Sequence, residues 1–201
     1  MYWRLSQGGR KIYLTFDDGP VEVVTEWVLD VLKEKQVKAT FFVVGDNVRK
    51  YPEVMKRLAL EQSYANHTYN HIKGWKHSLD AYVKNIHACD AIMEEVTGSA
   101  VSTNRSGYFS KPLFRPPYGR IKTIQEKVLK ATYDIIMWDV LTGDYNSHLN
   151  IEKAFKRICN VTRSGSIVVF HDSYKAEKQM KSLLPRYIDF CKTQGYTFEW
   201  L

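Results

Sequence analysis

Two carboxylates in direct succession, Asp17 and Asp18, end the apolar run Ile12-Tyr13-Leu14-Thr15-Phe16 and are followed by Gly19-Pro20. Successive side chains of a strand point to opposite faces, so the pair can serve one site only where strand geometry breaks, and Gly19-Pro20 is the expected break. Further on, His67-Thr68-Tyr69-Asn70-His71 sets two imidazoles one helical turn apart, close enough to approach one metal ion from the same side. An aspartate with two histidines leaves coordination positions open for water and substrate, as in a catalytic zinc site, where the metal lowers the pKa of its water and polarises a carbonyl. The same donor set suits a non-haem iron oxygenase, but those sit mostly on all-β jelly rolls, which the element pattern below contradicts.

His171 closes the buried run Val168-Val169-Phe170 and is placed to protonate a leaving group if an acidic neighbour, Asp144 or Asp139, holds its other ring nitrogen. Arg115-Pro116-Pro117-Tyr118-Gly119 joins a fixed cation to a loop stiffened by two prolines. Arg115 can keep a carboxylate ionised through a bidentate pair, and the Tyr118 amide can point at a developing oxyanion. Taken singly, each of these residues has a commoner structural reading as a turn former, a cap or a surface charge. What they share is placement just after an expected strand.

The elements that must hold them alternate. After the opening strand, Val24, Trp27, Val28, Val31 and Leu32 fall at helical spacing, and Lys38-Ala39-Thr40-Phe41-Phe42-Val43-Val44 reads as a fully buried strand. Asp46 or Asn47 is the expected cap of one helix running through Val54, Met55 and Leu58, followed by a short extended piece at Tyr64-Ala65-Asn66. Ser78 is expected to cap a helix with Tyr82, Ile86, Cys89, Met93 and Val96 on one face, ending near Gly98, before a polar loop over residues 99–110. A strand at Leu113-Phe114-Arg115, a helix with Ile121, Ile124 and Val128, and a strand at Ile135-Ile136-Met137-Trp138 follow. Asn150 caps a helix with Ala154, Phe155 and Ile158. A strand from Ser166 to Phe170, a helix marked by Met180, Leu183, Leu184 and Tyr187, and a strand from Tyr196 to Leu201 complete the chain. Seven strands alternating with helices imply a parallel α/β sheet, either doubly wound or a barrel short of the usual eight units, whose strand ends share one face.

The chain has 201 residues and is 44% hydrophobic, enough for one well-buried core, and residues 1–201 read as a single domain. Its net charge of +7 comes from Lys and Arg spread without a basic block, so a nucleic-acid reader is excluded while an anionic polymer such as an acidic cell-wall glycan remains compatible. Cys89, Cys159 and Cys191 are odd in number and far apart, and are expected to pack as small apolar residues. No run approaches a membrane span and the N-terminus lacks a signal-peptide core. The expectation is a soluble, cytoplasmic monomer, or a cell-envelope or secreted protein if a leader was trimmed.

Together the residues resemble the polysaccharide deacetylase family, which includes chitin, chitooligosaccharide and peptidoglycan deacetylases and some acetyl xylan esterases. The resemblance rests on Thr15-Phe16-Asp17-Asp18-Gly19, the His67 to His71 run, Arg115 to Gly119, Trp138 to Asp144 and Val169-Phe170-His171, in the family's order. It implies a distorted (β/α)7 barrel with parallel strands, the NodB-like deacetylase fold. It further implies that Asp17 is the general base, that Asp18, His67 and His71 are metal ligands and that His171 is the general acid. Arg115 would then orient Asp17, and Asp144 would orient His171. The cofactor implied is a divalent metal, zinc first, then cobalt or nickel, and the partner an N-acetylated glycan. Tyr118 and Trp138 fall in the substrate motifs. Val169 stands where members often carry leucine, a smaller wall for the acetyl methyl, Tyr145 stands where a tryptophan is frequent, and Gln62-Ser63-Tyr64-Ala65 replaces a glycine-rich approach to the histidines. The same set can act on an ester, so O-deacetylation of acetyl xylan is the alternative reaction, and a barrel kept only for carbohydrate binding is the alternative outside enzymes.

Overall fold

The computed structural model describes residues 1–5, 8–100, 102 and 106–201. Its centre is one sheet with every strand pair parallel, in the order β5-β4-β3-β2-β1-β7-β6, with β8 pairing β1 beside this path. The strands are β1 (Lys11–Asp17), β2 (Ala39–Val43), β3 (Ser63–Asn66), β4 (Leu113–Phe114), β5 (Asp134–Ile135), β6 (Val140–Leu141), β7 (Ile167–His171) and β8 (Thr197–Phe198). The sheet curls into an incomplete barrel. Its two ends, β5 and β6, are joined by residues 136–139, and Tyr2 crosses there to pair with Ile136.

Alternation along the strands separates two apolar layers. Ile12, Leu14 and Phe16 of β1, Phe41 and Val43 of β2, and Val168 and Phe170 of β7 face outward into the main core, where Phe16 stacks on Phe41 with ring centroids 4.8 Å apart. Tyr13, Phe42, Ala65, Leu113 and Ile167 form a second cluster on the inner side. Because the strand period is two, Thr15, Asp17, Val169 and His171 belong to that inner side as well. The register sets Thr15 beside Val169 and Asp17 beside His171.

The helices that cover the outer face are α1 (Val24–Glu34), α2 (Gly45–Lys50), α3 (Pro52–Glu61), α4 (Leu79–Thr97), α5 (Thr123–Leu129), α6 (Ile151–Val161) and α7 (Glu177–Thr193). Ser78 caps α4 by accepting from the Ala81 amide at 3.2 Å, and Asn150 caps α6 by accepting from Lys153 at 3.0 Å, as the residue types dictate. Gly98, at φ 80°, ends α4 in the left-handed conformation that glycine adopts without strain. The cysteines are free, Cys89 and Cys191 fully buried.

Several expectations are corrected. The single helix through Val54 is two, α2 and α3, because Pro52 lacks an amide to continue the first, and α2 starts after Val44 without a side-chain cap. The apolar stripe of α5 faces out: Ile124 is 53% and Val128 40% exposed. Gln125 turns inward instead, because its amide nitrogen satisfies the Gly74 carbonyl at 2.9 Å while its oxygen accepts from the Lys122 amide at 3.1 Å. An eighth strand, β6, occupies a stretch read as loop, and the last strand shrinks to Thr197–Phe198. Of the polar loop expected over residues 99–110, residue 101 and residues 103–105 lie outside the described residues.

Candidate active site

The strand ends of β1, β3, β4 and β7 converge on a cavity of about 480 Å³ lined by Asp17, Asp18, His67, His71, Tyr118, Trp138, Leu141, Tyr145, Val169, His171 and Lys175. Of the ten residues singled out from the sequence, eight line it. The other two, Arg115 and Asp144, stand fully buried behind it.

Asp17 keeps its inward strand position, and the geometry breaks at Asp18 itself, whose φ is 83°, one residue before the expected turn; the Gly19-Pro20 peptide that follows is cis. Both carboxylates therefore reach one site. Asp18 Oδ1 lies 3.1 Å from His71 Nε2 and 3.8 Å from His67 Nε2. The ligand atoms of Asp18, His67 and His71 all fall within 4.8 Å of one another.

The two histidines do not sit on a helix. They bracket a loop with positive φ at Thr68 (66°) and His71 (51°), conformations that must be held from outside. Asn66 holds one end by accepting from the Thr68 amide at 2.8 Å while donating to the Ile86 carbonyl and to Asp90. Asn85 accepts from the Tyr69 and Asn70 amides at 3.0 and 3.1 Å. His67 Nδ1 is 2.7 Å from the Arg115 carbonyl, which fixes its hydrogen there and leaves Nε2 as the acceptor facing Asp18. Burial pushes His67 down to about 4, so the ring is neutral, the form that binds a cation. Burial works against ionised Asp18, but the His71 hydrogen bond and the charge of His171 outweigh it and hold the carboxyl well below the usual range. One ionised carboxylate and two imidazoles form a donor set that fits a divalent cation.

Arg115 is completely buried, so each donor must find an acceptor. Nη1 donates to Asp17 Oδ1 at 2.6 Å and to Thr15 Oγ1 at 2.8 Å, Nη2 to the Met137 carbonyl at 3.0 Å, and Nε to the Ile136 carbonyl at 3.3 Å. The guanidinium also lies 3.9 Å from the Phe42 ring centroid. The expected bidentate pair is not made: one nitrogen serves Asp17 and the others tie down the chain joining β5 to β6. Asp17 Oδ2 is left toward the cavity, 4.0 Å from His67 Nε2.

Asp144 answers the question the sequence left open. Its Oδ1 accepts from His171 Nδ1 at 2.7 Å and its Oδ2 from the His171 backbone amide at 2.8 Å, so ring and backbone are gripped together. Burial alone would push His171 down, but the Asp144 hydrogen bond and charge, with Asp18 and Asp17 adding, lift it to about 9. Asp139 has a different task, accepting from the Ile167 amide at 2.9 Å and from Ser166 Oγ at 3.1 Å at the start of β7.

Tyr118 sits at φ 61° in the turn Pro117–Gly119, with its ring 4.8 Å from His71 and half exposed. A Cβ at Gly119 would come within 2.4 Å of the Trp138 ring, so only glycine lets this loop close onto the cavity wall.

One positioning residue, directly after His171, was given no role from the sequence. Asp172 is buried; its Oδ1 accepts from the Gly19 amide at 3.1 Å and its Oδ2 from Thr25 Oγ1 at 2.7 Å, while Thr25 Oγ1 also accepts from the Val21 amide. It thus clamps the turn that follows Asp18 from 153 positions away. Burial, with the charge of Asp18 adding, pushes it up to about 8 against the Thr25 and Gly19 hydrogen bonds. The apolar run before an Asp was the one sequence signal available.

A sequence model of the polysaccharide deacetylase family matches residues 4–135. A peptidoglycan-N-acetylglucosamine deacetylase of Bacillus cereus is 31% identical over 191 residues, 94% of this chain and 66% of that protein. The first curated relatives are longer, and the chain spans between 32% and 66% of their length. Among solved structures, a peptidoglycan N-acetylglucosamine deacetylase in complex with a naphthalenyl-substituted N-oxidanyl-benzamide superposes with a TM-score of 0.87 at 28% identity, covering all of this chain and 90% of that one. A mutant CE4-family pseudoenzyme with restored enzymatic activity superposes with a TM-score of 0.83 at 26% identity, covering 98% of this chain and 67% of that one. With well over half its length matched and the whole of its curled parallel sheet shared, the chain belongs to the polysaccharide deacetylase family.

Proposed function

We propose that the protein is a metal-dependent deacetylase that removes N-acetyl groups from an N-acetylglucosamine-containing glycan. The observation that carries this is the juxtaposition in one cavity of Asp17 held by Arg115, the Asp18-His67-His71 cluster, and His171 held by Asp144. Relatives named as peptidoglycan deacetylases support the substrate class, and the completeness of the set sets this chain against the pseudoenzyme reading that the family also contains. In this reading residues 1–201 form one catalytic domain, because β8 near the C-terminus pairs β1.

Asp18, His67 and His71 would hold a divalent cation, zinc by the mixed oxygen and nitrogen donors and cobalt or nickel as alternatives. When bound it lowers the pKa of a water and polarises the acetamide carbonyl. The chain's own groups do the proton work. Asp17, with one oxygen fixed by Arg115, offers the other to take the proton of an attacking water. The Tyr118 amide, carried at a positive φ beside His71, donates to the oxyanion that develops on the carbonyl oxygen. His171, with Nδ1 committed to Asp144, carries its transferable proton on Nε2 and delivers it to the departing nitrogen. Trp138, Leu141 and Val169 supply apolar wall for the acetyl methyl. Action on peptidoglycan would place the protein at the cell envelope; among the described residues no helix is long and apolar enough to cross a membrane.

The test is acetate release by metal-stripped and zinc-reconstituted protein on N-acetylglucosamine oligomers and peptidoglycan, with O-acetylated xylan in parallel. Metal-dependent release from the N-acetylated glycans upholds the reading. Release from xylan alone replaces it with an esterase, and silence on all three with metal bound makes the protein a non-catalytic binder.

A further inference from the structure

The cavity does not end at His71. Through Asp18, His71 and Lys175, which line both, it continues into a second lobe of about 500 Å³ that opens between α2 and the loop leading from β7 to α7. This lobe is walled by Val21 and Val44 and by Asn47, Lys50, Tyr51, Ser173 and Tyr174, the last five all able to donate a hydrogen bond. It is as large as the first lobe, so it has room for a substituent well beyond the acetamido group itself.

Its charges do not cancel. Lys50 Nζ is 2.6 Å from Asp46, but Asp46 is also held by Arg49 at 2.9 Å, which leaves α2 with a surplus cation. Lys175 has no carboxylate within 4.0 Å among the described residues and lies 5.8 Å from the Tyr145 ring centroid, at the junction of the two lobes. The acidic groups around the lobe are Asp18, which belongs to the metal cluster, and Glu22 and Glu177, whose charges reach Tyr174. Glu177 is itself occupied by Lys181 at 2.6 Å. The same imbalance recurs on the far rim, where Lys73 and Arg120 stand over Tyr118 and Trp75 with no carboxylate within 4.0 Å among the described residues. Aromatic faces suit sugar rings, whereas the exposed cations of this open lobe are placed to meet an anion that the protein does not supply.

We propose that the second lobe is a subsite for a carboxylate borne by the glycan beside the acetamido group being cleaved, with Lys175 as the recognising cation and Lys50 supporting it from α2. A homopolymer of N-acetylglucosamine leaves Lys175 without an anion and the surplus charge of α2 unbalanced. A glycan whose sugar carries an ether-linked lactic acid, free or extended by a peptide with its own carboxylate, supplies that anion. The inference rests on the deacetylase reading for the position of the acetamide, and not for the existence of the lobe.

The test compares three probes on the metal-loaded protein: a disaccharide with a free lactyl carboxylate, its methyl ester, and the same unit extended by a stem peptide. A charge-assisted hydrogen bond corresponds to roughly a tenfold preference. The expected result is that kcat/KM for the acid exceeds that for the ester by about this factor, through KM, that the preference disappears in Lys175→Ala, and that Lys175→Arg retains it. If the peptide-bearing probe alone shows the preference, the carboxylate recognised is the peptide's and the subsite stands. Equal kcat/KM for acid, ester and peptide-bearing probe in the native protein, or an undiminished preference in Lys175→Ala, overturns the proposal. Should no acetate be released from any glycan, the deacetylase reading fails separately. Binding of acid and ester followed by tryptophan fluorescence then decides the subsite, upheld by tighter binding of the acid that Lys175→Ala abolishes and overturned by equal affinities.

Discussion

Replacing Asp144 by Asn changes one atom and reverses the electrostatics of His171. In the native protein both Asp144 oxygens are used, one by the His171 amide and one by Nδ1–H. An Asn keeps its oxygen on the backbone amide, which already donates to that position, and so turns its NH2 toward Nδ1. The ring must then accept at Nδ1, and the imidazolium becomes a donor facing a donor. With the supporting charge gone, the burial that already pushes His171 down is opposed only by Asp17 and Asp18. A fall from about 9 to the ordinary value near 6.5 is 2.5 pH units, about 3 kcal/mol of lost stabilisation of the charged ring.

The sign follows from the raised value: His171 stays protonated, and able to act as an acid, up to the alkaline limb and loses that capacity as pH rises through it. A metal on Asp18 removes part of the lifting charge, so the native limb of kcat/KM falls at or below pH 9. In Asp144→Asn the limb moves below about pH 7, and at pH 8 turnover falls at least tenfold from protonation alone. The assay is acetate release across pH 5 to 10 at fixed zinc, with the His171 ring titrated by NMR in the same variant. An alkaline limb left in place, with the NMR titration also unmoved, would refute the assignment of His171 as the proton donor supported by Asp144.

Asp18→Asn is expected to lose metal on dialysis while Asp17→Asn retains it and loses turnover at least a hundredfold; metal content by elemental analysis, with circular dichroism to show both remain folded, separates the two roles. Arg115→Met leaves Asp17 buried without its cation and should destabilise by about 3 to 5 kcal/mol in urea unfolding. Adding Asp17→Asn should recover part of that loss, and strict additivity of the two changes would contradict the pairing. Gly19→Ala places a Cβ 2.0 Å from Asp172 Oδ2, so it should lower the melting temperature and weaken metal binding together, whereas Gly8→Ala, with open space around it, should do neither.

Much of the site was legible because it is local. The alternation of Ile12, Leu14 and Phe16 with Tyr13, Thr15 and Asp17 already sorts β1 into outer and inner faces, and the side-chain types at Ser78, Asn150 and Gly98 mark helix ends through bonds spanning only a few residues. What the sequence by itself determined is therefore the strand order of the chemistry and the identity of the residues that would carry it. Only the tertiary structure decided how they are paired. Asp144 rather than Asp139 meets His171, Arg115 serves Asp17 through a single nitrogen, Gln125 and not Ile124 turns inward, and Asp172 clamps the turn beyond Asp18. Those partners lie 27, 98, 51 and 153 positions apart, distances over which composition and periodicity carry no information. The physical reason is burial: a charge or amide removed from water must be satisfied by whichever group the fold brings within about 3 Å, and that group is chosen by the packing of the sheet.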